Sequence, residues 1–529
     1  MRVAIIAAPY PLEEAPAPPL GISYAAAAFE KAGAEVQIFD YIVSRYTPEK
    51  LAKQIDDFRP HVVGTSSVTM NFPVAARILQ TVKEYDPRII TVMGGPHVSF
   101  DVVNTLKNYP AIDLIVIGEG EATIAELVAA RFQKENFPGV AGIAFRDEGD
   151  IRFTPPRALI ADLSTLPLPA RHLLPLSRYQ ALGFPISIIT GRGCPYECIF
   201  CQGRRMVGSK MRHRPAQMVV DEIEDILSYG IDRINVADDL FVSHKRKVRE
   251  VCEEIERRGL KFAWSAFARV NTVDKETLAI MKEAGCDAIS FGVESGNQEM
   301  LDRIKKKITL DQVRRAVEMC QEVGLIAHCS FIVGLPGESP ETLKETKEFA
   351  ESLGKIDYGY HLLAPFPGTT VREEVDKYDL EILTDDWSLY DANHAIVRTS
   401  RLSPEDIRRF VDEFEGEIAE AWEQKVKAYF AGTLKDPWDV LRVEGHFRTR
   451  CIFHLLSGDV IEEVGDFPGV AEADASFPLL LERIHQKTGD PPAIVEKVLK
   501  DIISRGYVKA FRQSGKVTWK WTHNNRRDE

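Results

Sequence analysis

The stretch Pro185-Ile-Ser-Ile-Ile-Thr-Gly-Arg-Gly-Cys194-Pro-Tyr-Glu-Cys198-Ile-Phe-Cys201 reads in two halves. Its first half is apolar and β-branched, as a buried strand of a parallel sheet is. Its second half carries thiols at Cys194, Cys198 and Cys201, a C-x3-C-x2-C spacing among the loop-shaping residues Gly191, Gly193 and Pro195. Three thiolates on one loop are one fewer than a closed four-cysteine site needs. Structural zinc takes four ligands, usually as two pairs, yet no second C-x2-C follows and His213 has no paired ligand nearby. Zinc and three unrelated buried thiols are the alternatives to a four-iron, four-sulfur (4Fe-4S) cluster. A cubane with three protein ligands keeps one iron open, much as a catalytic metal keeps a vacant position. A loop of this kind directly after a first barrel strand lies where barrel enzymes assemble their sites.

With aromatic Phe200 before the third cysteine, the motif resembles the signature of the radical S-adenosylmethionine (SAM) superfamily. The resemblance implies that the open iron chelates the amino and carboxylate groups of SAM. An electron from the reduced cluster then cleaves the carbon–sulfur bond and gives a 5′-deoxyadenosyl radical. Strands are expected at 185–190, 232–237, 262–268, 287–293, 326–333 and 357–363, alternating with helices. Six such units suggest the partial (β/α)6 TIM-like barrel of that family. Polar residues and a glycine mark the strand ends: Asp238 and Asp239, Arg269, Glu294 and Ser295, and Gly334. By resemblance these, with Phe200, would contact SAM or substrate; a rim carboxylate is also a common helix N-cap.

Composition narrows the class. The chain has 529 residues, 45% of them hydrophobic, and a net charge of −13. Such an acidic balance disfavours a nucleic-acid backbone as partner. The run Lys305-Lys306-Lys307 reads as a solvated helix end. No apolar stretch reaches the length of a membrane span. The N-terminal Met-Arg-Val-Ala-Ile-Ile-Ala-Ala soon meets Glu13 and Glu14, so it reads as a first strand and not a signal peptide. Eight cysteines in so long a chain suggest a reducing cytoplasm and no disulfide scaffold. Cys252, Cys286, Cys320, Cys329 and Cys451 read as buried thiols.

Residues 1–145 alternate short buried strands with helices, which predicts an α/β doubly wound, Rossmann-like parallel sheet. Such sheets bind ligands beyond the carboxyl ends of their strands. Three ends are suited to that: Thr65-Ser66-Ser67-Val68-Thr69, Gly94-Gly95-Pro96-His97 and Gly118-Glu119-Gly120-Glu121. Glycines admit close approach and hydroxyls offer hydrogen bonds. Directly before a radical SAM motif, these segments resemble the cobalamin-binding domain of the cobalamin-dependent radical SAM group. The resemblance implies cobalamin contacts from Thr65 to Thr69, at Gly94, Gly95 and His97, and from Gly118 to Gly120. No Asp-x-His-x-x-Gly occurs. Cobalt should therefore lack a lower-face histidine, with Val68 to Asn71 near that face.

The remaining domains are a Pro-rich linker at 146–184, the barrel at 185–375, a helical flanking segment at 376–430, and a winged-helix-like region at 431–529 with a turn at Ser514-Gly515 and a basic end at Arg526-Arg527. Three uses of the last region are open: nucleic-acid binding, capture of a leader peptide, or buttressing the barrel, which is the default reading. The resemblance implies methylation of an unactivated carbon, with radical ring closure, as in porphyrin ester cyclisation, as the alternative. A non-enzymatic cobalamin-responsive sensor is the reading from outside enzymology. Expected partners are a small-molecule or peptide substrate and an electron donor such as flavodoxin or ferredoxin.

Overall fold

The structure, a computed structural model, describes residues 1–9, 16–513 and 515–524. Glu13, Glu14, Ser514, Arg526 and Arg527 lie outside the described residues. In the first sheet β1 (Arg2–Ala7), β2 (Glu35–Asp40), β3 (Val62–Ser66), β4 (Ile90–Gly94) and β5 (Leu114–Val116) run parallel in the order β2-β1-β3-β4-β5. The chain reverses direction across the sheet between β1 and β3, and their carboxyl ends open the crevice typical of such a switch. The sheet does not stop at 145. An antiparallel hairpin, β6 (Ile143–Asp147) and β7 (Asp150–Phe153), extends it into the stretch read as linker. Glu148 and Gly149 both take positive φ, 49° and 92°, the geometry of a type I′ hairpin turn.

The second sheet holds six parallel strands in the order β15-β14-β13-β12-β11-β8. They are β8 (Ile186–Ile188), β11 (Arg233–Val236), β12 (Ala263–Ala268), β13 (Cys286–Glu294), β14 (Ile326–Val333) and β15 (Asp357–Leu362). Between β8 and β11 lies a two-residue ladder, β9 (Gly191–Arg192) against β10 (Arg212–His213). Along β14, Ala327, Cys329, Phe331 and Val333 are buried and alternate with half-buried His328, Ser330 and Ile332. One face therefore packs fully while the other is less enclosed, unlike a sheet covered on both sides.

Helix Pro404–Phe430 closes over β15, setting Phe410 and Phe414 edge-to-face with Tyr360 at 5.0 and 4.9 Å between ring centroids. The C-terminal region has helices Pro437–Ser457, Ala473–Thr488 and Pro492–Ser504 beside a three-stranded antiparallel sheet. Its core continues into Val43, Tyr179, Ala181 and Leu182. The region thus buttresses the N-terminal domain and helix Leu176–Leu182, where the sequence suggested the barrel. Among the described residues, no helix is long and apolar enough to cross a membrane.

Candidate active site between two domains

The cysteine loop is shaped by its backbone. Gly193 has φ +116°, and a Cβ there would lie 2.4 Å from the Lys210 carbonyl oxygen, so no other residue fits. The Cys194 amide donates to the Gly208 carbonyl at 3.0 Å, and the Gly203 amide donates to Cys201 Sγ at 3.3 Å. Buried Ile199 pins the middle, exchanging backbone hydrogen bonds with Ile304 and Val371. All three cysteines are free. Burial pushes the Cys194 thiol up, and the Cys201 thiol up to about 11. Coordination to a metal overrides that, because a coordinating thiol is deprotonated outright. Among the described residues, no three His, Cys, Asp or Glu side chains gather about a single-ion site. A cubane instead offers each thiolate its own iron.

Cationic and acidic groups surround the loop. Arg269 lies 3.6 Å over the Tyr196 ring and donates to Cys198 Sγ at 3.5 Å. It also donates to the Lys306 carbonyl. Lys306 is not solvated: its Nζ is 2.5 Å from Glu294 Oε1 and both side chains are buried. Lys305 and Lys307 both take φ of 55°, and this irregular backbone brings Lys306 to Glu294. Glu294 itself has φ +74° at a register break in β13. The Lys306 ammonium lies 5.7 Å from the Phe200 ring. Asp239 approaches Cys201, since a Cβ on Gly203 would meet Asp239 Oδ1 at 2.7 Å and Cys201 Sγ at 3.4 Å. Burial raises the Asp239 carboxyl.

Three rim residues serve the scaffold. Asp238 accepts from the Thr190 amide at 2.6 Å and its hydroxyl at 2.5 Å, locking the end of β8, and burial pushes it up to about 6. Ser295 Oγ bonds to Thr346 Oγ1 and accepts from the Asn297 amide. The Gly334 amide is taken by buried Glu338 at 2.6 Å.

A cavity of about 360 Å³ lies beyond β1, β3, β4 and β5, lined by Thr65, Ser66, Gly94, Gly95 and the turn Gly118 to Gly120. Gly95 has φ +101°, and a Cβ there would strike Ser67 O at 2.6 Å. Ser67, Val68, Thr69 and His97 are not in the cavity wall. Val68 is exposed, whereas His97 is fully buried, stacked on Phe72 at 4.1 Å with Trp387 edge-on. Burial pushes His97 down to about 3, with help from Arg372, so it is a neutral core residue and not an exposed ligand. Glu119 lines the cavity, but Arg212 and Arg192 engage its carboxylate. The sequence reading missed Tyr24, Arg192, Met206 and Val207 in this wall. Only the position of Arg192, beside Gly193-Cys194, hinted at one of them. Arg192, Met206 and Val207 belong to the barrel domain, so the cavity and the cysteine loop share a wall.

Residues 188–350 match the radical SAM superfamily and residues 14–128 match the B12 binding domain. A Pyrococcus horikoshii protein described as uncharacterized methyltransferase PH0819 is 34% identical over 397 residues, covering 74% of this chain and 86% of that one. The chain is a cobalamin-dependent radical SAM enzyme. Another relative, the anaerobic magnesium-protoporphyrin IX monomethyl ester cyclase of Cereibacter sphaeroides, is 32% identical over 379 residues, covering 68% of this chain and 61% of the cyclase. The solved radical SAM structure of OxsB with aqua-cobalamin and SAM superposes with TM-score 0.69 at 18% identity, covering 96% of this chain and 81% of OxsB. The methyltransferase TsrM from Kitasatospora setae gives 0.65 at 18%, covering 95% and 99%. The α/β class and two-domain architecture of the enzyme are those of this family, and its cofactors are the 4Fe-4S cluster, SAM and cobalamin.

Proposed function

We propose that the enzyme methylates an unactivated carbon of a small-molecule or peptide substrate. The observation that carries this reading is the shared wall, which sets the cavity at the carboxyl ends of the first sheet directly against a three-thiol loop. When bound, the cluster with SAM supplies hydrogen abstraction from carbon and cobalamin supplies a methyl group.

The chain's residues fit these groups. Cys194, Cys198 and Cys201 would each hold one iron and leave the fourth open. Arg269, donating to Cys198, would offset thiolate charge, as hydrogen bonds to cluster sulfurs do. Asp239 beside Cys201 would accept from the amino or ribose hydroxyl groups of SAM, and the Glu294–Lys306 pair would fix the wall behind Phe200. Asp238, Ser295 and Gly334 would shape the rim through the backbone. On the other side, Thr65, Ser66, Gly94, Gly95, Gly118 and Gly120 would admit the flat apolar parts of cobalamin. Among the described residues no histidine lines the cavity, and His97 is sealed in an aromatic cluster. Free thiols suit a reducing cytoplasm, and a flavodoxin- or ferredoxin-like donor would supply electrons.

The methyltransferase descriptions among relatives, including a hopanoid C-3 methylase of Methylococcus capsulatus at 26% identity, support methyl transfer. Ring closure is the second reading, favoured by the cyclase relative at 32%. Anaerobic purification from cells given iron and cobalamin should yield about four irons and one cobalamin per chain. The bound-cobalamin spectrum should show no nitrogen ligation from a protein histidine. Incubation with SAM carrying a labelled methyl group should then transfer label to substrate. Loss of hydrogen without methyl gain would select cyclisation, and iron without cobalamin would remove both readings.

A further inference from the structure

The ladder between β9 and β10 closes the base of the cysteine loop, and it sets Arg192 directly opposite Arg212. Like charges facing each other across a ladder destabilise it, and two residues per strand cannot hold a hairpin unaided. The countercharges come from the other domain. Glu119 meets Arg212 with two oxygens at 2.8 and 2.9 Å and Arg192 at 3.2 Å, and Glu121 pairs with Arg192. All four side chains are nearly buried. Burial alone would raise the Glu119 carboxyl; the Arg212 hydrogen bond, the Ile160 amide and both arginine charges hold it below the usual range. Arg212 also donates to the Val207 and Ile160 carbonyls, tying the descending limb of the loop to the linker. Glu119, Glu121, Arg192 and Val207 all line the cavity, while Arg212 lies outside its wall.

We infer that this clamp of Arg192 and Arg212 on Glu119 and Glu121 couples cobalamin binding to the order of the cysteine loop, with Glu119 and Arg212 as positioning residues. A ligand that fixes the Gly118-to-Glu121 turn fixes the acids, and the acids fix the arginine ladder from which Cys194 starts. Linkage makes the effect reciprocal: an ordered loop holds cobalamin more tightly. The inference rests on the reading that the cavity takes cobalamin.

The test is hydrogen–deuterium exchange at residues 193–211 in the full-length, cluster-loaded protein, with and without hydroxocobalamin. Cobalamin should slow exchange there about fivefold or more in the wild type, the lower range of allosteric couplings. Glu119→Gln, which keeps the shape and removes the charge, should hold cobalamin more weakly, as the linkage requires, and at saturating cobalamin lose that protection. Where E119Q loses cobalamin or folding, Arg212→Lys decides, because it keeps one charge, gives up the two-point grip and leaves the cavity wall intact. Equal protection in wild type and variant overturns the coupling. So does cobalamin bound to wild type with no slowing at 193–211. A wild type that takes up no cobalamin sinks the functional reading itself, a result distinct from either.

Discussion

At the residue scale, the thiols and one buried acid make the sharpest predictions. Cys194→Ala, Cys198→Ala or Cys201→Ala should each drop iron from about four per chain to below one and abolish SAM cleavage. Iron assay and 5′-deoxyadenosine detection check this, and a triple variant with full activity would refute the site. Glu338 is fully buried with one oxygen on two amides and the other unpartnered. Burial pushes it from its ordinary 4.5 up to about 8. Its folded pKa is raised, so the folded state holds a proton that the unfolded state releases. The stability it contributes is whole below about 4.5 and lost as pH rises through about 8. Glu338→Gln cannot ionise, so its Tm should gain on the wild type between pH 5 and pH 8; parallel melting curves at the two pH values would count against this.

At the element scale, helix Ala216–Ser228 carries Glu222, fully buried between Arg171 of the linker and Arg214 beside β10. Burial of this triad makes each member dependent on the others. Glu222→Ala should cost about 3–5 kcal/mol, because it leaves two buried guanidiniums uncompensated. A lowered Tm, with early proteolysis near residue 171, would show it; an unchanged melt would mean that water or relaxation satisfies the arginines. The same helix shows what pattern reading reaches. Alternation with the strands at 185–190 and 232–237 called for a helix between them, but nothing in Glu222 distinguished a buried clamp from a solvated acid.

At the scale of the whole molecule, three bodies of chain meet around the first domain. The C-terminal core includes Val43 and Tyr179, whose hydroxyl donates to Asp40 Oδ2 at 2.7 Å. Lys50 and Arg178 both reach Asp459 across the same boundary. Truncation after residue 430 should therefore bare Val43, Tyr179 and Leu182 and give aggregation with weakened cobalamin retention. A monodisperse truncated protein that keeps cobalamin would show the C-terminal region to be independent of the site.

Most strands were legible in the sequence, because an apolar, β-branched run between turn residues has few other places to go. The cysteine spacing was equally plain: ligands of one cluster on one loop are set by local chain geometry. What pattern reading could not supply was the pairing of distant charges. Lys306 looked solvated until Glu294 stood opposite, and Glu119 looked like a ligand contact until two arginines closed on it. The hairpin at Glu148-Gly149 was hidden among prolines that read as linker. Sequence by itself determined the elements, the thiols and the order of the domains, since these depend on near neighbours in the chain. Only the tertiary structure decided which acids bind, which clamp and which face the loop, because burial and countercharge come from residues far away in sequence.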